Sequence, residues 1–135
     1  MKKIKKPNLA KLKKKAWKIM SNYIRIMASN ADGYAECVTC KNPKPMNWKK
    51  LHGGHFIPGR KGWILFNEDC INPQCYVCNI LLKGNWANYY EYMVRKHGLS
   101  KVLDLIELKN KEMSSTEMLN ECNRIIQLYG GIKEK

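Results

Sequence analysis

Apolar residues recur at helical spacing near the start of the chain. Leu9, Leu12, Ala16, Ile19, Met20, Tyr23, Ile24 and Met27 fall on one stripe. Lys11, Lys13, Lys14, Lys15 and Lys18 crowd the remaining surface. The pattern predicts an amphipathic helix with a strongly positive back, opened by Asn8 as N-cap. Residues 1–7 read as a disordered lead-in ending at Pro7. Ser29-Asn30-Ala31-Asp32-Gly33 is a turn cluster. The middle of the chain carries shorter apolar runs. His55-Phe56-Ile57 reads as a strand stopped by Pro58, and Trp63-Ile64-Leu65-Phe66 as its returning strand. Between them lies the basic loop Gly59-Arg60-Lys61-Gly62. A helix begins at Cys78 and reaches Lys83, where Gly84 interrupts it.

Helical spacing then returns in three segments. Trp86, Tyr89, Tyr90, Met93, Val94 and His97 form one apolar face, with Asn85 as its cap and Gly98 as its stop. Val102, Leu103, Leu105 and Ile106 mark a helix starting at Ser100. Ser114-Ser115-Thr116-Glu117 has the form of a capping box, and Met118, Leu119, Cys122, Ile125, Ile126 and Tyr129 carry the last stripe. The expected fold is α+β, mostly helical, in a single domain spanning 1–135. A basic arm and helix occupy 1–28, a cysteine-framed core 34–84, and a helical part 85–131.

Charge changes this picture. Residues 1–25 hold nine lysines and Arg25 with no acidic residue, out of a formal net charge of +14. From residue 100 onward, six bases balance six acids. So localised an excess points to a polyanion, nucleic acid first, because Lys and Arg contacts to phosphate dominate nonspecific affinity. A solvated, solubilising arm is the plainer alternative. No apolar run has the length of a bilayer span or the form of a signal peptide, so a cytoplasmic setting and no membrane partner are expected.

Cysteine spacing changes it again. Cys37-Val-Thr-Cys40 and Cys75-Tyr-Val-Cys78 are two CxxC pairs. In a reducing compartment such pairs more often hold metal than form disulfides. Four thiolates make the closed tetrahedral shell of a structural zinc site, one Zn²⁺ per chain. A chain of 135 residues buries only a modest core, and such a staple suits it. Two unrelated redox or buried pairs are the alternative. The gap between the knuckles is longer than in a simple zinc ribbon, which implies a functional insert, and His55 lies inside it. Cys70 and Cys122 read as small buried apolar residues.

A short ββα element with a histidine on its first strand, framed by CxxC pairs, resembles the HNH (ββα-metal) endonucleases. The strings Leu12-Lys13-Lys14-Lys15-Ala16-Trp17, Cys37-x-x-Cys40, Gly54-His55-Phe56-Ile57, Gln74-Cys75-x-x-Cys78-Asn79 and Gly84-Asn85 resemble the lambdoid phage NinG (Rap) family over nearly the whole chain. That resemblance implies a recombination nuclease acting on branched DNA, including Holliday junctions, in the bacterial host cytoplasm. It implies His55 as the base that activates water and Asn79 as a ligand of a catalytic Mg²⁺ or Mn²⁺, with Mg²⁺ preferred. Two positions depart from the HNH pattern. Gly54 stands where an acid or histidine ligand precedes the base, and Cys70 stands at the middle Asn, leaving Asn72 to orient His55 by a hydrogen bond. His52 is near, but alternation along a strand points it away from His55. Lys11, Lys13, Lys14, Lys15, Lys18, Arg60 and Lys61 are the expected DNA contacts. Cutting both strands of a junction needs two active sites, so a homodimer is expected, with the apolar stripes of the first and last helices as its interface. A noncatalytic zinc module that binds DNA or RNA and recruits recombination proteins is the rival reading.

Overall fold

The computed structural model describes residues 8–134. The lead-in at 1–7 lies outside the described residues. Helix α1 spans Leu9–Ala28, and the Asn8 side chain caps it by accepting the Lys11 amide at 3.2 Å. Two short strands follow, β1 (Tyr34–Ala35) and β2 (Met46–Asn47), paired antiparallel. Strands β3 (His52–His55) and β4 (Ile71–Gln74) form a second antiparallel pair. Helices α2 (Trp86–His97), α3 (Leu99–Glu107) and α4 (Ser115–Tyr129) complete the chain. At α4 both halves of the Ser114–Glu117 capping box are formed. No described helix is long and apolar enough to cross a membrane.

The stripe of α1 meets the stripe of α4. Ala16 and Met20 pack with Met118, Cys122 and Ile125, and Leu65, Phe66 and Ile71 close the cluster. Met20, Cys122 and Ile125 are 0 % exposed. Burying each of the larger side chains contributes about 1.5–3 kcal/mol. Tyr23 stacks on Tyr129 with ring centroids 3.8 Å apart. These two stripes, expected at a subunit interface, therefore satisfy each other within one chain. A second cluster joins Phe56, Ile57, Ile64 and Cys70 to Tyr89 and Met93 of α2 and Val102 and Leu105 of α3.

The hairpin differs from the sequence expectation in position, not in kind. Its first strand ends at His55, and Phe56 and Ile57 continue into the second cluster. The run 63–66 is not a strand: residues Gly62–Ile64 make a 3-10 turn. Ile64, Leu65 and Phe66 are all buried. A half-exposed strand cannot bury three residues in succession, because successive side chains point to opposite faces. The turn sends Ile64 into one cluster and its two neighbours into the other.

The returning strand is β4, in register His52↔Gln74, Gly53↔Pro73, Gly54↔Asn72 and His55↔Ile71. All four of its residues are buried. Pro73 is tolerated because its carbonyl points away from β3 and accepts the Val38 amide at 3.0 Å, so its missing N–H costs no ladder bond. The expected helix from Cys78 is a five-residue π-helical turn, Val77–Leu81. Helix α1 covers one face of this hairpin. A Cβ on Gly53 would stand 2.9 Å from Ser21 Oγ, so glycine there admits the close approach of helix to strand.

Candidate functional site

The two CxxC segments come together at one end of the hairpin. The Sγ atoms of Cys37, Cys40, Cys75 and Cys78 all lie within 4.8 Å of one another. Cys40 Sγ is 3.6 Å from both Cys75 Sγ and Cys78 Sγ. Thiolates held about 2.3 Å from a central zinc stand about 3.8 Å apart, so this quartet fits a tetrahedral ion. The surrounding groups fit thiolates too. The Cys78 amide donates to Cys75 Sγ at 3.4 Å, and the Asn85 side chain donates to Cys78 Sγ at 3.6 Å. Burial pushes the Cys37 thiol up, but bonds from Thr39 and from the backbone outweigh it and hold it down to about 7. Burial and the neighbouring sulfurs push Cys40 up, as burial does Cys75. Four thiolates this close need a cation to coexist. The quartet could hold one zinc ion.

Several polar side chains brace these knuckles. Gln74, 0 % exposed, donates to Thr39 Oγ1 at 3.0 Å and to the Gly84 carbonyl at 2.9 Å. Asn85 makes no side-chain cap on α2, contrary to expectation. It adopts a left-handed φ of 48° and donates to the Thr39 carbonyl at 3.1 Å.

The register of β3 and β4 sorts the candidate residues between two faces. Gly53, His55, Ile71 and Pro73 face α1. His52, Gly54, Asn72 and Gln74 face α2 and the knuckles. His55 Nε2 lies 3.0 Å from the Leu65 carbonyl, and its ring stacks on Trp17 with centroids 4.8 Å apart. A carbonyl only accepts, so Nε2 carries the proton and Nδ1 is left with its lone pair. Burial lowers the ring's pKa to about 4; the Leu65 bond opposes this and the Arg60 charge adds to it. His55 is therefore neutral at pH 7.

Asn79 does not meet His55. Its side chain lies 2.9 Å from Nδ1 of His52, whose ring is set edge-on to Tyr76. Asn72 does not bond His55 either. Opposite Gly54, it points toward α2, donating to Tyr89 Oη at 3.1 Å and accepting from Lys96 Nζ at 3.3 Å. The expected Asn72–His55 bond is thus replaced by a brace between hairpin and helix. Tyr89 completes it by donating to the Gly54 carbonyl at 2.7 Å.

Sequence reasoning set His52 aside because alternation turns it from His55. The same alternation turns it toward the second knuckle, and that was the available signal. The Leu65 carbonyl is a backbone group with no sequence signature. Lys11, Lys14, Lys15 and Lys18 are exposed on α1 and Lys13 is half-buried; Arg60 and Lys61 are exposed on their loop. The Arg60 guanidinium lies over the Trp17 indole, 4.6 Å from its centroid, which brings that loop beside the lysine helix.

No curated protein and no solved structure matches this chain. The family model described as Bacteriophage Lambda NinG protein matches residues 1–134, and the chain belongs to the NinG family.

Proposed function

We propose that this chain is a divalent-metal-dependent DNA endonuclease of the HNH (ββα-metal) type, acting on branched recombination intermediates such as Holliday junctions. The observation that carries the reading is the tethered ring of His55. Its Nε2–H is fixed on the Leu65 carbonyl and its Nδ1 is held as a neutral acceptor. An unprotonated ring nitrogen is the form from which a general base takes a proton from water, although the burial that keeps it neutral also weakens it as a base. The attacking water then displaces the 3′ oxygen, leaving 5′-phosphate and 3′-hydroxyl ends. A divalent cation would stabilise the charge developing on that oxygen.

His52 and Asn79 are the pair to hold the cation. A half-turn of the Asn79 amide presents its oxygen where its nitrogen now meets His52 Nδ1. An imidazole and an amide oxygen suit Mn²⁺ better than Mg²⁺, which prefers oxygen ligands alone. The base and this pair stand on opposite faces of β3. The scissile phosphate must therefore lie across the edge of β3 that β4 does not cover. The exposed lysines of α1, with Arg60 and Lys61, grip the backbone without reading bases. Two such sites in a homodimer cut both strands of a junction. With the α1 and α4 stripes packed together, the subunit contact falls elsewhere. Tyr76, Val77, Ile80, Leu81 and Leu82 are the exposed apolar run left for it.

One observation favours the rival, a noncatalytic zinc module that binds nucleic acid: Asn79 contacts His52 and not His55. Incubating the protein with a four-way junction and Mn²⁺ or Mg²⁺ separates the two readings. Cleavage is expected, faster with Mn²⁺, and His55→Ala should slow it by about 100- to 10,000-fold. Junction binding without cutting in either metal would establish the module.

A further inference from the structure

Trp17 stands on α1 between the lysines and His55. Its indole stacks on the His55 ring, and the Arg60 guanidinium lies over it at 4.6 Å. Lys13, Lys14, Trp17, Arg60 and Leu65 line an open cleft of about 310 Å³. No acidic residue lines this cleft, and none occurs in residues 1–31. The cleft thus offers a flat aromatic face ringed by three cations.

Arg60 covers a face of the Trp17 indole. It is exposed and has a positive φ of 42°, following Gly59 at 111° and standing two residues before Gly62 at 57°. Space beside both glycines is open to at least 4 Å. A cation on an indole is held by about 0.5–1 kcal/mol at an exposed site, so a better stacking partner can displace it.

We propose that this cleft binds an unpaired nucleotide: its base stacks on Trp17 in place of the Arg60 guanidinium, and its flanking phosphates lie against Lys13, Lys14 and the displaced Arg60. This deepens the endonuclease reading and rests on it for the role of His55. A paired base keeps both faces within the duplex stack and cannot use the indole. Branched DNA offers an unstacked base where strands part. The site therefore selects for DNA structure without reading sequence, since every base has a stacking face. It also sets the selected nucleotide beside the candidate base.

The test is binding, measured without added divalent metal so that no strand is cut. Fluorescence anisotropy compares a short duplex with the same duplex carrying a few unpaired nucleotides at its centre. The wild type should bind the second about tenfold more tightly, a difference of about 1.4 kcal/mol. Trp17→Leu, which keeps apolar bulk, should bind both DNAs equally at the wild-type duplex affinity. Trp17→Phe should retain most of the preference. Lys13→Ala should weaken the DNA with unpaired nucleotides more than the plain duplex, since its phosphates lie against Lys13 in the cleft. A second measurement needs no variant: bromouracil at the unpaired position, irradiated in the wild-type complex, should crosslink to the peptide holding Trp17. Equal wild-type affinity for the two DNAs, a preference that survives Trp17→Leu, or crosslinks confined to other peptides would each overturn the site. A protein that shows the preference but never cleaves junctions retains this site and loses the endonuclease reading. One that cleaves without the preference does the reverse.

Discussion

Gly54 is where one residue decides what its neighbours can do. A Cβ there would run into the Gln74 side-chain oxygen and stand 2.6 Å from Gln74 Cδ. Gln74 cannot yield, because it is fully buried and tied to both Thr39 and Gly84. The position before His55 therefore has no room for the acid or histidine of the HNH pattern. In our reading His52, two residues earlier on the same face, takes that duty. Gly54→Ala should cost about 1–3 kcal/mol by overpacking. Gly53→Ala should cost less, since its one tight contact is with the Ser21 hydroxyl at 2.9 Å and its others are ordinary van der Waals distances. Urea melts of the two variants measure this, and a Gly54→Ala protein as stable as wild type would refute it. His55, Asn79 and the cysteines could be singled out from sequence, and the meeting of the four cysteines was legible in their spacing, but the separation of Asn79 from His55 was not. That depends on the register of β3 against β4, and one step of register reverses every face.

At the scale of elements, the long helices were legible, whereas the π-helical turn at Val77–Leu81 and strand β4 were not. The stripes of α1, α2 and α4 repeat over several turns, and Ser114–Glu117 fixed the start of α4 as read. Strand β4 carries no alternation because both of its faces are covered, and its Asn72-Pro73 step reads as a turn. The more apolar run at 63–66 carries the stronger strand signal. Helix α4 is tied to the chain before β4 by Arg124, which donates to Glu68 Oε1 at 2.9 Å and to the Phe66 carbonyl at 3.1 Å. Burial raises the Glu68 carboxyl, but Arg124 and Tyr129 outweigh it and hold it below the ordinary carboxylate range. A lowered folded pKa means that the pair's contribution is present above the unfolded value. It is lost as pH falls through the folded one. Both side chains are about one-third exposed, so screening leaves roughly 1 kcal/mol at most. Wild-type stability should decline as pH drops below about 4.5. Arg124→Met should flatten that part of the pH profile while lowering the plateau above it. An unchanged slope would show that the link carries no such charge coupling.

Across the whole molecule the two larger clusters rest on helices, whereas the third rests on the cysteine quartet. Its buried members are Ala35, Cys37, Leu51 and Cys78, and two of these four are cysteines of the quartet. So small a group cannot hold residues 37–40 against residues 75–78 across the intervening chain by apolar burial alone. An ion held by the quartet would close this long loop, and binding it would be part of folding. Removing it should not unfold the α1–α4 contact, where Met20 and Ile125 stay packed without any sulfur ligand. Stripping zinc with a strong chelator should therefore release residues 37–40 and 75–84 to fast amide exchange. Their Thr39, Gln74 and Asn85 braces should go with them, while amides of α1 and α4 remain protected. His52 and Asn79 would lose their common support, so cation-dependent activity should vanish before the helical signal falls. Hydrogen exchange followed by mass spectrometry reads both halves at once. Uniform loss of protection would mean that the metal holds the entire fold, and no loss at the knuckles would mean that the quartet holds no ion that matters.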